Sequence, residues 1–248
     1  MPSENAAVRP VQRVPLVEAV TEQLREMIIN GTLEPGRQLL QIELSEHLGV
    51  SRTPLREAFR VLERDGLVRV SNGNKTVEVV AMTASEITDL YEVREVIDGL
   101  AARLLAGDGV TPEAETQLGA AMAAMEKMLS AKRLDLAKYS EAHFDFHMGI
   151  VRAAGNRRLL DLGHIVRISA RMSLSRFLQH SGEGATGAKK RDTDARIRAL
   201  LVEGTDDHRL IFEAIKAGDG RKAETLARRH IRKATAEVAR AADEAAGQ

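Results

Sequence analysis

The chain has 248 residues, 44% of them hydrophobic and only 3% aromatic, with zero formal net charge and no cysteine. That length holds one large or two ordinary domains with a sizeable core. The absence of cysteine excludes disulfides, thiolate zinc sites and cysteine nucleophiles. It leaves histidine and carboxylate as the ligands for any transition metal and suits a reducing cytoplasm. No apolar run approaches the length needed to span a bilayer, so no membrane partner is expected. Ala, Leu, Arg and Glu dominate, all good helix formers, and a mainly α protein follows.

In chain order, Met1 to Pro10 is polar and lacks the apolar stretch of a signal peptide. Residues 1–13 are read as a flexible tail. Leu16, Val20, Leu24, Met27 and Ile28 then recur at three- and four-residue spacing, which predicts an amphipathic helix stopped near Asn30-Gly31. Leu33-Glu-Pro-Gly36 reads as a turn. A short helix is expected over Gln41–Leu48, with Gly49 in the left-handed position after it. Ser51 is the expected N-cap of a third helix, whose buried face carries Leu55, Ala58, Phe59 and Leu62. Leu67–Val70 and Thr76–Val80 read as strands joined by a hairpin turn at Ser71-Asn-Gly-Asn74.

Helix, Gly-containing turn, helix and hairpin together make a winged helix-turn-helix with a small β wing. Although the chain is neutral, Arg52, Arg56, Arg60, Arg64, Arg69 and Lys75 outnumber Glu57, Glu63 and Asp65 locally, so a basic patch can form here. Arg52, Thr53 and Arg56 project from the start of the third helix. A guanidinium fork there suits guanine O6 and N7 in the major groove of double-stranded DNA. Ser51 at the helix start, with Asn74 and Lys75 at the wing tip, completes the candidate DNA contacts.

The stretch from Leu39 through Ser51-Arg-Thr-Pro-Leu-Arg56 to Asp65-Gly-Leu-Val68 resembles the GntR family of bacterial transcription regulators. The likeness spans about residues 14–82, taken as the DNA-binding domain. It implies that Arg52 and Arg56 contact operator bases and that Gly73 of the wing approaches the DNA backbone. It also implies a homodimer on a palindromic operator, the symmetry expected of paired half-sites.

Residues 83–248 read as an all-helical, antiparallel bundle for effector binding and dimerisation. Thr83 and Glu86 form a capping box ahead of a helix reaching about Ala106, broken by Gly107-Asp-Gly109. Thr111-Pro112 starts the next helix, which carries Leu118, Met122, Met125 and Leu129. A third is expected over about Asp135–Ala154 and a fourth over about Arg157–Gln179. Ser181–Ala188 and the adjoining Lys189–Arg191 read as a loop. Helices near Arg196–Val202, Asp206–Ala217 and Gly220–Ala242 complete the chain.

The segments Leu90-Tyr-Glu-Val-Arg94, Phe146-His147 with Ala153-Ala-Gly-Asn156, Asp207-His-Arg209 and Arg229-His-Ile231 are similar to the FadR subfamily, whose C-terminal domain is called FCD. In that pattern an Asp-x-x-x-His pair and two later histidines bind metal. His147, His208 and His230 occupy the histidine places, and His143 stands where the family has aspartate. His143 and His147 are four residues apart and share a helix face, whereas Asp145 is turned away from it. An all-histidine set leans toward zinc, with nickel, cobalt or copper as other candidates.

Arg94 matches an arginine that pairs with an effector carboxylate in many relatives, so a small organic acid is the expected effector. The other reading of Arg94 is a weak i, i+4 salt bridge to Asp98. Arg167 and Arg171 are secondary candidates.

The function read from the sequence is an effector-responsive regulator, most simply a repressor, and not an enzyme. Three other readings are a metal-dependent enzyme using the histidine cluster, a regulator with a metal-free effector pocket, and an architectural DNA-binding protein. Catalytic zinc centres need a general base beside an open ligand position, and no HExxH-type motif accompanies these histidines. A purely architectural role would not need interior histidines.

Overall fold

Two units, divided between residues 81 and 82, make up the chain in the computed structural model, which describes residues 16–29, 31–71, 76–80, 83–170 and 188–246. The tail over residues 1–13, Asn30, the wing-tip residues Gly73, Asn74 and Lys75, Arg171 and the expected loop over 181–187 lie outside the described residues.

In the N-terminal unit, the apolar stripe read from the sequence builds α1 (Leu16–Ile29), which buries Val20 and Leu24. α2 (Gln41–Leu48) ends at Gly49 with φ +64°, where the glycine N–H donates to the carbonyls of Ser45 and Glu46. This left-handed turn swings the chain into α3 (Arg52–Arg64), and only a residue without a Cβ adopts it freely. α3 buries Leu55, Ala58, Phe59 and Leu62 on one face. Ser51 is the N-cap residue, as expected, in an extended conformation, although its side chain makes no capping bond.

The strands β1 (Gln38–Leu39), β2 (Val68–Ser71) and β3 (Thr76–Val79) form an antiparallel sheet in the order β1-β3-β2. The wing therefore has a third strand that the sequence did not announce. β1 is two residues long, too short to show a period of two. It pairs Gln38 with Glu78 and Leu39 with Val77, tying the segment before α2 to the hairpin. A buried ion pair, Arg25 Nη2 to Asp65 Oδ2 at 2.6 Å, joins α1 to the end of α3.

The C-terminal unit opens at α4 (Ala84–Asp108) with the capping box in place: the Glu86 N–H donates to Thr83 Oγ1 and the Thr83 N–H to Glu86 Oε2. α5 (Pro112–Ser130) is capped by Thr111 and α6 (Leu136–Ala153) by Asp135. The fourth expected helix is interrupted. α7 (Arg157–Asp161) ends at Leu162, and helix resumes as α8 over residues 163–170. The Leu162 N–H bonds back only three residues, to Leu159, and a Cβ on Gly163 would lie 3.0 Å from Met148 Cε of α6. The helix breaks here where periodicity alone continued it.

α9 (Ala188–Lys216) and α10 (Gly220–Ala246) complete the bundle. α9 corrects two expectations. Lys189–Arg191 are helical rather than loop, and the helices expected near Arg196–Val202 and Asp206–Ala217 are one. Gly204 lies within it without breaking it. Thr205 Oγ1 donates to the Leu201 carbonyl, and Leu201, Thr205 and His208 hold one face of α9 toward the interior. The tertiary contacts of that face offset the modest propensity cost of one glycine.

The bundle core gathers Leu105, Leu118, Met125, Phe146, Val151 and Ile211 from α4, α5, α6 and α9. α4 and α10 approach closely at Gly99, where an added Cβ would meet the Arg228 side chain at 2.7 Å.

Candidate metal centre and nucleic-acid interface

Three helices of the C-terminal unit each contribute to one cluster. α6 supplies His143 and His147, α9 supplies His208 and α10 supplies His230. One ligand atom from each lies within 4.8 Å of the others, and His147, His208 and His230 are buried. Nε2 of His147 is 3.2 Å from Nε2 of His143 and 3.0 Å from Nε2 of His208. Asp145 is exposed and takes no place in the cluster.

Electrostatics keep three of these rings neutral. Burial pushes His143, His147 and His208 well below the usual histidine range, and neighbouring positive charge, Arg94 included, pushes the same way. The neutral imidazoles of His143, His147 and His208 bring their Nε2 atoms together and present lone pairs to one point, the form a metal requires. Two nitrogens bound tetrahedrally to one zinc at 2.0–2.1 Å stand about 3.3 Å apart. The two separations at His147 are close to that, and one nitrogen from each of the four rings lies within 4.8 Å of the others, so the cluster could hold a divalent transition metal. Such an ion would supply a Lewis-acidic centre that attracts an anionic oxygen.

Two aspartates back the rings from outside. Asp98 Oδ2 of α4 lies 2.9 Å from Nδ1 of His147, and Asp207 Oδ2 lies 3.8 Å from Nδ1 of His230. A carboxylate on Nδ1 leaves Nε2 as the ligand atom and orients the ring. Burial raises the Asp98 pKa against the pull of Arg94, whereas hydrogen bonding to His230 and Lys233 lowers Asp207 to about 2. The sequence reading gave neither aspartate this role. The available signal was a carboxylate on the apolar face of α4 and another directly beside His208.

Arg94 of α4 is 1% exposed and its Nε lies 3.4 Å from Asp98 Oδ2. The i, i+4 pair with Asp98 therefore exists, but buried rather than on the surface, where leaving either charge unpaired would be costly. Nη2 of Arg94 has no hydrogen-bond partner. The residue lines a cavity of about 310 Å³ together with Tyr139, His143, His208, His230 and Lys233. The Tyr139 hydroxyl is held by Thr205 Oγ1 at 2.9 Å, and burial raises its pKa to about 12. Arg167 stacks its guanidinium 5.3 Å from the Phe144 ring and is not among the residues lining this cavity.

In the N-terminal unit, Ser51, Arg52, Thr53 and Arg56 are all exposed at the start of α3, on the side away from Leu55, Ala58 and Phe59. Arg60 is paired with Glu57 at 2.8 Å, whereas among the described residues Arg52 and Arg56 form no ion pair. Their forks are therefore available to an external anion or base edge. No helix among the described residues is long and apolar enough to cross a membrane.

Comparison with known proteins gives two family matches, the FCD domain over residues 89–233 and the bacterial regulatory proteins of the gntR family over residues 16–77. The chain is 30% identical over 209 residues to the HTH-type transcriptional regulator YdhC of Bacillus subtilis, covering 84% of this chain and 83% of that protein. It is 28% identical to the "Probable D-xylose utilization operon transcriptional repressor" of Paenarthrobacter nicotinovorans, over 86% and 85% of the two chains. Among solved structures, E. coli McbR/YncC has the same fold, with a TM-score of 0.71 at 19% identity, covering 91% of this chain and 98% of that one.

Proposed function

Because the chain belongs to the gntR family of bacterial regulatory proteins and carries an FCD domain, we propose that this transcription regulator is a homodimeric, cytoplasmic repressor controlled by a small organic acid. The matched families and relatives are regulators of transcription and not enzymes. In this reading residues 14–82 bind a palindromic operator and residues 83–248 sense the effector and form the dimer. Arg52 and Arg56 read base edges, Ser51 and Thr53 meet the backbone at the helix start, and Gly73, Asn74 and Lys75 bring the wing to the DNA. His143, His147, His208 and His230 hold zinc or another transition metal.

The observation that carries the sensing half is the shared cavity. Three of the four histidines, His143, His208 and His230, and the buried Arg94, with Nη2 unpartnered, line one space. A carboxylate entering it can meet the metal with one oxygen and the guanidinium with the other. Each contact is stronger in a water-poor site than in solvent. Such a ligand shifts the protein only as far as it prefers one arrangement of the bundle over another.

Elemental analysis of protein purified without nickel resin, followed by zinc titration with thermal melts, tests the metal. One equivalent of metal, or zinc-dependent stabilisation lost in His147→Ala, is expected. Protein that neither contains nor takes up metal would sink the metal reading. Gel shifts on genomic fragments, with Arg52→Ala and Arg56→Ala alongside, test the DNA half.

A further inference from the structure

The cavity differs sharply from one wall to the other. Its inner end holds Arg94 and the histidines, but Ile197, Leu200 and Leu201 of α9 and Ala234 and Ala236 of α10 line much of the remainder. Its other charged lining residues are Glu203, Asp207, Glu237 and Lys233. Lys233 is already engaged, with Nζ 2.8 Å from Glu203 Oε1 and 2.9 Å from Asp207 Oδ2. Among the described lining residues, Arg94 is the buried cation with an unpartnered donor, whereas Lys233 is held between two carboxylates.

We infer that the effector is an apolar monocarboxylate, with its carboxylate at Arg94 and a hydrocarbon body against the α9–α10 wall, and that di-, tricarboxylates and sugar acids are excluded. This rests on the carboxylate reading proposed above and adds the chemistry of the rest of the molecule. A second carboxylate would lie near Glu203, Asp207 and Glu237, where the charge of Lys233 is already balanced by two carboxylates, and like charges in a partly dehydrated site repel. A chain of hydroxyls would lose its water against Ile197, Leu200 and Leu201, which return no hydrogen bonds. A hydrocarbon chain gains on both counts, because its transfer from water to that wall is favourable. The cavity of about 310 Å³ stands at the small end of ligand sites, so a short to medium acid fits.

Isothermal titration calorimetry on the zinc-loaded full chain tests this with hexanoate, adipate and gluconate, acids of equal carbon count, and with acetate. Hexanoate should bind tightest, with affinity rising about fourfold for each methylene buried beyond acetate. Leu200→Gln should weaken hexanoate and leave acetate unchanged, and Glu237→Gln should bring adipate closer to hexanoate. If adipate or gluconate binds as tightly as hexanoate, the apolar reading is overturned while the carboxylate reading stands. If acetate and all three longer acids fail to bind, the carboxylate reading falls and takes this one with it.

Discussion

The two units of this chain assemble their candidate sites in opposite ways. In the N-terminal unit, Ser51, Arg52, Thr53 and Arg56 are neighbours in sequence on one helix start. In the C-terminal unit, Arg94 and Asp98 come from α4, His143 and His147 from α6, Asp207 and His208 from α9 and His230 from α10. The first site needs one helix to form and one face to be buried. The second exists only when four helices pack in register. The difference teaches that a surface for reading DNA can be local, whereas an interior ligand site depends on long-range packing.

The largest expected effect tests whether the local site needs its core. Phe59 is 2% exposed behind the arginine face, and Phe59→Ala should cost about 3–5 kcal/mol in urea unfolding. A loss below about 1 kcal/mol would show that α3 is held mainly by its own helical propensity. Next comes the packed site. Zinc at about a hundred times its dissociation constant should stabilise the protein by about 2.7 kcal/mol, and chelation should remove this. Melts unchanged by zinc or chelator would separate the histidine cluster from any metal.

Arg52→Ala or Arg56→Ala should each cost about 1–3 kcal/mol of operator binding, read by fluorescence anisotropy at fixed salt. Melting temperature and zinc uptake should not change, because both side chains are exposed. A large drop in stability would make these arginines structural instead. Asp98→Asn should weaken zinc by about 10–100-fold in a chelator competition, since the amide no longer anchors Nδ1 of His147 as a carboxylate does. Unaltered zinc affinity would remove Asp98 from the site. The smallest effect is expected at Thr83→Ala, about 1 kcal/mol for loss of the side-chain cap on α4.

Much of the fold was legible because its signals are short-ranged. The α1 stripe, Gly49 after α2, the Thr83–Glu86 box and the strands flanking 72–75 each act within a few residues. Where distant contacts decide, the reading fell short. Gly204 did not interrupt α9, because Leu201, Thr205 and His208 pack inward on either side of it. The Leu162 break falls beside Gly163, where apolar spacing alone had carried the expected helix on. β1 was too short for any periodic signal.

By itself the sequence determined the winged helix-turn-helix, the exposed face that carries Arg52 and Arg56, and the types of side chain available for a metal. Helical and strand periodicity says which face of an element is buried, and turn chemistry says where it stops. Neither says what the buried face will meet. Only the tertiary structure decided that Asp98 lies against His147, that Asp207 and Lys233 sit beside the cavity, and that Arg94 shares it with three of the histidines. These are contacts between helices separated by tens to more than a hundred residues, and their geometry comes from packing that no local pattern encodes.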